Sequence, residues 1–251
     1  MIDLELRGDI AVLTMHHGKA NAMDGAFCAD LIKRLDELRA SPARAIVVTG
    51  QGNIFSAGVD LVRALDGGSE YFKNFLPPLR RAFEAVFFYE KPIVAAVNGH
   101  AIAGGCVLTC AADRRLMAHG TGRIGITELL VGVPFPVIAL EIMRSAADPQ
   151  HFARIVTSGA TFAPEAAVGL GLVDEVVPGD ALLDRAIAAA EALAALGPEA
   201  FALTKRQLRE PVRERLERDG PRFDPAVDAI WYAPETAARI RDYVSRTFKK
   251  M

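Results

Sequence analysis

Cysteine is scarce in this chain. Cys28, Cys106 and Cys110 are the only three in 251 residues. They cannot all pair with one another, and they are too few for a disulfide framework. With five histidines and no clustered Cys/His spacing, no zinc pattern is completed either. Few cysteines of this kind predict a reducing, cytoplasmic compartment. An excess of one charge is also missing. The 29 Lys+Arg and 31 Asp+Glu leave a net charge of -2, so nothing draws the whole chain to nucleic acid or to an anionic membrane. The start, Met1-Ile2-Asp3-Leu4-Glu5, has no basic segment before an apolar stretch, and no signal peptide is expected. Long apolar runs are limited to Pro92–Ala112, which carries no Asp, Glu, Lys or Arg. Pro92, Asn98, Gly99, His100, Gly104, Gly105 and Thr109 interrupt it, whereas a spanning helix needs about 20 mostly apolar residues. A buried strand, a tight turn and a buried helix fit that segment better. The phosphate loop Gly-x-x-x-x-Gly-Lys-Ser/Thr, a well-placed Gly-x-Gly-x-x-Gly and the elbow Gly-x-Ser-x-Gly are all absent.

What remains is an ordinary globular composition, 51% hydrophobic and 24% charged. At about 150 residues per domain the length allows one or two domains. Gly8-Asp9 between apolar runs at residues 2–6 and 10–15 reads as a hairpin turn. Asn21 or Asp24 can cap a helix to about Ala40, with Phe27, Leu31, Leu35 and Leu38 at helical spacing. Ala45–Gly50 and Pro92–Val97 are apolar on both faces, as in a sheet covered on both sides. The pattern predicts helices over Phe72–Tyr89, Gly104–Ala111, Val137–Arg144, His151–Ser158, Pro164–Leu170 and Ala181–Leu196. It predicts strands over Arg115–Ala118 and Val173–Val177. A further helix runs from Gly197-Pro198 to about Arg213, and Gly220–Pro225 reads as a loop. This alternation predicts an α/β fold with largely parallel pairing.

Two glycine turns stand out. One is Phe55-Ser56-Ala57-Gly58-Val59-Asp60-Leu61; the other runs from Asn98 through His100 to Gly104-Gly105-Cys106. Each joins a strand to a helix start, where backbone N–H groups lack partners and carry partial positive charge. Two such ends converging would make an oxyanion hole, although tight packing alone would also explain the glycines. Glu128 is the only charged residue between Arg123 and Glu141. A lone carboxylate in apolar surroundings has a raised pKa, suited to proton abstraction near neutrality. A helix-start charge or a salt bridge to Arg123 would explain it equally. The other conspicuous residues have plainer readings. Ser56 has no evident base partner, His16 and His17 are surface residues, and His100 packs or supports. Asp60 is a helix-start charge and Asp113 serves backbone donors at a strand start. Cys106 is a small buried hydrophobe. Glu141 and Arg144 pair on one helix, and Trp231 and Tyr232 pack C-terminal helices or a subunit contact.

In order along the chain come Lys19-Ala20-Asn21-Ala22-Met23, the Phe55–Leu61 turn, Lys91-Pro92-Ile93-Val94-Ala95-Ala96-Val97-Asn98-Gly99-His100-Ala101, Ala103-Gly104-Gly105, Asp113, Glu128 and Gly169-Leu170-Gly171-Leu172-Val173-Asp174. This ordered set, over residues 1–210, resembles the crotonase superfamily, the enoyl-CoA hydratase/isomerase fold. The resemblance implies a spiral of ββα units over residues 1–195 and a C-terminal helical, trimerisation segment over residues 196–251. It implies an acyl-CoA thioester substrate whose enolate is held by the Val59 and Gly104 N–H groups, with Glu128 as acid–base group. Lys19, Ala20, Ala22, Ala57, Asp60, Leu61, Gly105, Val107 and Val131 would line the substrate and CoA groove. Lys19, Lys249 and Lys250 are candidates for the CoA phosphates. Coenzyme A enters as part of the substrate, with no other cofactor and no metal, and the assembly would be a homotrimer or hexamer. Hydratases of the family place a first glutamate where this chain has Val107. With one carboxylate left, the pattern is closest to the Δ3,Δ2-enoyl-CoA isomerases. The alternatives are hydration, another crotonase reaction, or acyl-CoA binding without turnover.

Overall fold

The computed structural model describes residues 1–248. β1 (Ile2–Arg7) and β2 (Ile10–Met15) form an antiparallel hairpin with Arg7 opposite Ile10. Gly8 has φ +60° and Asp9 is not among the positive-φ residues, the II′ pattern that suits a right-twisted hairpin. α1 (Gly25–Arg39) is capped by Asp24, whose carboxylate accepts from Phe27 N at 2.7 Å. Next come β3 (Ala45–Gly50), β4 (Ile54–Ser56), α2 (Leu61–Phe87), β5 (Ile93–Val97), β6 (His100–Ile102), α3 (Gly104–Cys110) and β7 (Arg114–Ala118). Then follow β8 (Ile124–Gly125), α4 (Glu128–Val131), α5 (Val137–Ala146), α6 (Phe152–Ser158), β9 (Thr161–Phe162) and α7 (Pro164–Gly169). β10 (Glu175–Val177), α8 (Leu182–Ala194), α9 (Pro198–Tyr232) and α10 (Pro234–Phe248) complete the order.

The larger sheet has the order β1-β2-β3-β5-β7-β10 and is parallel beyond the first hairpin. Both faces are covered at its centre, which explains the uninterrupted apolar strands β3 and β5. Alternate residues enter two different cores. Leu13, Ile46, Val48, Ala95 and Val97 join the large core under the helices α1, α2, α3 and α5, while Val12, Val47, Val94 and Ala96 join a second core. α8 covers that second core with Leu182, Ala186, Ala190 and Ala194, a stripe at every fourth residue. The smaller sheet has the order β4-β6-β8-β9, with β4, β6 and β8 mutually parallel and β9 antiparallel. The predicted α/β class and the fold implied by the resemblance are both present. Among the described residues no single helix is long and apolar enough to cross a membrane.

Three predicted elements differ. The helix expected from Phe72 begins at Leu61, because Asp60 caps it by accepting from Arg63 N at 3.0 Å. It is broken at Gly68, with φ +59° and ψ −151°. The strand expected from Val173 begins at Glu175, since Val173 N is spent on Ala167 O in the turn after α7. The loop expected at Gly220–Pro225 is helical and lies within α9. Proline inside a helix forfeits a hydrogen bond and crowds the preceding turn, but tertiary bonds hold this one. Asp224 accepts from Val137 N at 3.0 Å, capping α5, and Trp231 Nε1 donates to Pro134 O at 3.0 Å.

Candidate active site

The smaller sheet organises the site. Val59 stands three residues past β4, Gly104 two past β6 and Glu128 three past β8. Those strands are parallel neighbours, paired through Ser56↔Ala101 and Ala101↔Ile124, so all three positions leave the sheet at one edge. The two glycine turns touch. A side chain at Gly58 would place its Cβ 2.8 Å from Gly104 N, Ala103 Cβ and Ile102 O, and Gly58 has φ +79°. Only glycine meets both demands.

The direction of each amide follows from its peptide plane. In a trans peptide N–H and C=O point opposite ways, and no cis bond occurs among the described residues. The Ala103 carbonyl accepts from Cys106 N at 2.9 Å and Val107 N at 3.2 Å, so it faces along α3 and the Gly104 N–H faces out of it. The Gly58 carbonyl accepts from Met23 N at 2.7 Å, so the Val59 N–H faces away from Met23. Among the described residues neither amide has an acceptor within the chain. Ala103 is held at φ +53° and ψ −124°, a conformation that costs a non-glycine residue about 1–3 kcal/mol. Its own N–H, bonded to Gly125 O at 2.8 Å, helps impose it.

Glu128 opens α4. The residue is partly accessible as a whole, but its Oε2 is shielded from solvent and has no hydrogen-bond partner. The enclosed carboxylate, rather than the residue average, sets the acidity. Burial pushes its pKa from 4.5 up to about 7, opposed by main-chain hydrogen bonds at Glu128 and Thr127. The salt bridge to Arg123 does not form; Arg123 donates to Thr161 instead. Val107, one helical turn into α3, and Val131 are buried apolar residues. An enclosed carboxyl group with a pKa near neutrality can both take and return a proton.

The proposed groove residues sit around the first turn. The Ala20 carbonyl accepts from Ala57 N at 3.0 Å, stitching the 19–23 segment to the 55–61 turn. Lys19 is exposed, Ala22, Ala57 and Leu61 are partly buried, and Gly105 is buried. Gly105 packs so closely that a Cβ there would lie 2.3 Å from Ser56 O. Asp60 is the α2 cap, as expected. Lys249 and Lys250 lie outside the described residues. A surface groove of about 670 Å³ lies elsewhere, between α1 and α2, beside Ile32, Lys33, Pro78 and Arg81.

Several residues named in the sequence take supporting roles that the sequence did not reveal. Asn21 sits at φ +48°, and asparagine is among the few residues that adopt this readily. Its Oδ1 accepts from His17 N at 2.7 Å, and its Nδ2 donates to Ile54 O at 3.2 Å and Phe55 O at 3.1 Å. Asn98 likewise accepts from Gly50 N at 3.0 Å and donates to Gly52 O at 2.8 Å. His17, expected at the surface, is partly buried with its ring 3.0 Å from buried Asp24, which also pairs with Arg63. Burial would raise the Asp24 carboxyl, but hydrogen bonds from Phe27 N and His17, with Arg63, hold it below its ordinary value. Away from the site, Asp113 accepts from Ile93 N at 2.8 Å, as expected, and also from Lys205 and Arg209. Glu141 pairs with Arg144 as expected, and with Arg215 as well. Trp231 packs edge-on against Phe72.

Residues 5–222 match the family model described as enoyl-CoA hydratase/isomerase. A Thermus thermophilus protein, provisionally named an enoyl-CoA hydratase, is 35% identical over 83% of each chain. A solved Mycobacterium tuberculosis structure named an enoyl-CoA isomerase is 30% identical, with TM-score 0.81 over 91% of this chain and 96% of the other. The human mitochondrial delta3-delta2-enoyl-CoA isomerase superposes with TM-score 0.93 over 99% of this chain and 98% of the other, at 22% identity. That last likeness is one of fold.

Proposed function

This chain belongs to the enoyl-CoA hydratase/isomerase family, and from that premise we propose that it shifts the double bond of a 3-enoyl-CoA thioester to the 2-position. Glu128 takes a proton from C2, and the electron pair moves through the C3=C4 bond and the carbonyl to form a dienolate. The negative charge rests on the thioester oxygen, where the Val59 and Gly104 amides donate to it. The neutral carboxylic acid of Glu128 then returns the proton at C4, leaving C2=C3. The proton returns to the same molecule, so no co-reactant is consumed. Preset main-chain donors of this kind cost no reorganisation when the charge develops.

The observation that carries this reading is the enclosed carboxylate of Glu128, whose Oε2 has no hydrogen-bond partner, with a buried valine, Val107, where hydratases of the family have their first glutamate. Hydration needs a water held and activated while C2 is protonated, work for which two carboxylates are suited. Segments 19–22, 57–61 and Gly105, with Val107 and Val131, would receive the acyl-CoA. Assembly as a homotrimer or hexamer and a cytoplasmic location belong to the same proposal. The hydratase reading is favoured by the name of the Thermus relative.

Side-by-side absorbance assays with 3-enoyl-CoA and 2-enoyl-CoA separate the readings. Isomerisation consumes the first, hydration the second, and a binding protein neither. Glu128→Gln is expected to abolish isomerisation while acyl-CoA binding, followed by calorimetry, persists. Unchanged turnover in that variant would overturn the assignment.

A further inference from the structure

We propose that Ser56 is a positioning residue of the oxyanion site, its hydroxyl fixing the Ala57–Gly58 peptide, which immediately precedes the one that presents the Val59 amide. The inference rests on the reading that this amide receives the enolate oxygen. Ser56 is fully buried at the end of β4. Its Oγ donates to the Asn21 carbonyl at 2.8 Å and accepts from Gly58 N at 3.1 Å. A serine hydroxyl has one proton, and here Asn21 takes it, which leaves a lone pair turned to the Gly58 N–H.

Asn21 is itself immobilised. Three side-chain hydrogen bonds hold it at φ +48°. Gly58 is therefore gripped at its nitrogen by Ser56 and at its carbonyl by Met23 N, 2.7 Å away. Turning the Gly58–Val59 peptide, and with it the Val59 N–H, breaks the Met23 bond, while Ser56 holds the preceding Ala57–Gly58 peptide and with it the φ of Gly58. Ser56 supplies the one side-chain bond to Ala57, Gly58 or Val59 among the described residues. Main-chain bonds hold Ala57 N to Ala20 O and the Gly58 carbonyl to Met23 N, and Gly58, at φ +79° with no Cβ, is the residue free to turn between them. The second amide is set differently, by the Ala103 carbonyl within α3, so the Ser56 hydroxyl acts on one donor alone.

Two variants test this. Ser56→Ala deletes the hydroxyl, and Ser56→Cys keeps the size while replacing it with a weak hydrogen-bonding group. For each, kcat and KM are measured with 3-enoyl-CoA, and the thermal midpoint checks folding. In parallel, acetoacetyl-CoA is titrated onto the protein and its enolate is followed by near-ultraviolet absorbance. That probe needs the oxyanion donors and no base. Both variants are expected to lose about 10- to 100-fold in kcat, less than the full loss of one oxyanion donor, with KM changed little. The bound enolate fraction at fixed pH should fall in step. A kcat within about threefold of the parent and an undiminished enolate signal would overturn the proposal, as would a loss confined to KM or to the folded fraction. Glu128→Gln is run alongside. If that variant turns over normally, the proposed reaction fails while the acetoacetyl-CoA signal still decides the role of Ser56.

Discussion

Replacing Glu128 by glutamine removes a titration as well as a base, and the fold should register it. The carboxyl has an ordinary pKa of 4.5 and, enclosed in the folded chain, one of about 7. Between these values the folded protein holds a proton that the unfolded chain has released. Stability therefore falls as pH rises through that window, the opposite of a salt-bridged carboxylate. At 1.36 kcal/mol per pH unit the gap amounts to about 3 kcal/mol. Glutamine has nearly the same shape and stays neutral throughout. At about pH 4 the parent and Glu128→Gln should unfold at similar urea concentrations, and by about pH 8 the variant should be the more stable by roughly 3 kcal/mol. Urea titrations across this range, at one protein concentration so that assembly contributes equally, measure the difference. If the two stabilities run parallel with pH, the carboxylate is not enclosed as described, and its fitness as a base near neutrality goes with it. Activity should show the mirror image in the parent, rising through about pH 7 as the base ionises.

Gly58→Ala should keep the far-ultraviolet dichroism of the parent but lose about 10²-fold in turnover, because the new Cβ falls 2.8 Å from Gly104 N and disturbs the donors. Val107→Glu should raise hydration of 2-enoyl-CoA above the parent level, read by the same absorbance assay. It should also lower the thermal midpoint, since an acid enters a buried apolar position. Lys205→Ala should cost about 3 kcal/mol in urea titrations, as for a broken buried ion pair, because Lys205 Nζ donates to Asp113 at 2.6 Å and to Lys91 O at 3.1 Å.

The centre of the larger sheet was legible because β2, β3 and β5 are apolar on both sides, and α1 because Phe27, Leu31, Leu35 and Leu38 keep one face. The smaller sheet was not legible. β8 and β9 have two residues each, too few to show a period. Their pairing joins residues far apart in sequence, such as Ile124 with Phe162. The continuity of α9 was hidden for another reason: local propensity at Pro221 and Pro225 is outweighed by bonds from Asp224 and Trp231 to residues before and within α5. At the site, the chemical types were legible in the glycine turns and in the isolated Glu128. That the two turns touch, and that Glu128 leaves the same end of the sheet, was not, because both depend on three strands running side by side. Ser56 looked idle in the sequence, since its partners, the Asn21 carbonyl and the Gly58 N–H, are main-chain groups that every residue carries.

The donors proposed at positions 59 and 104 belong to the backbone, and a point mutation cannot delete a backbone amide short of introducing proline. What substitution can reach is the side chains around them: the acid after β8, the apolar residue one turn into α3, and the wall at Val131. The proposed site thus has one part that side-chain substitution barely reaches and another that it can edit. On that reading, side-chain changes alter the reaction while the main-chain donors stay in place.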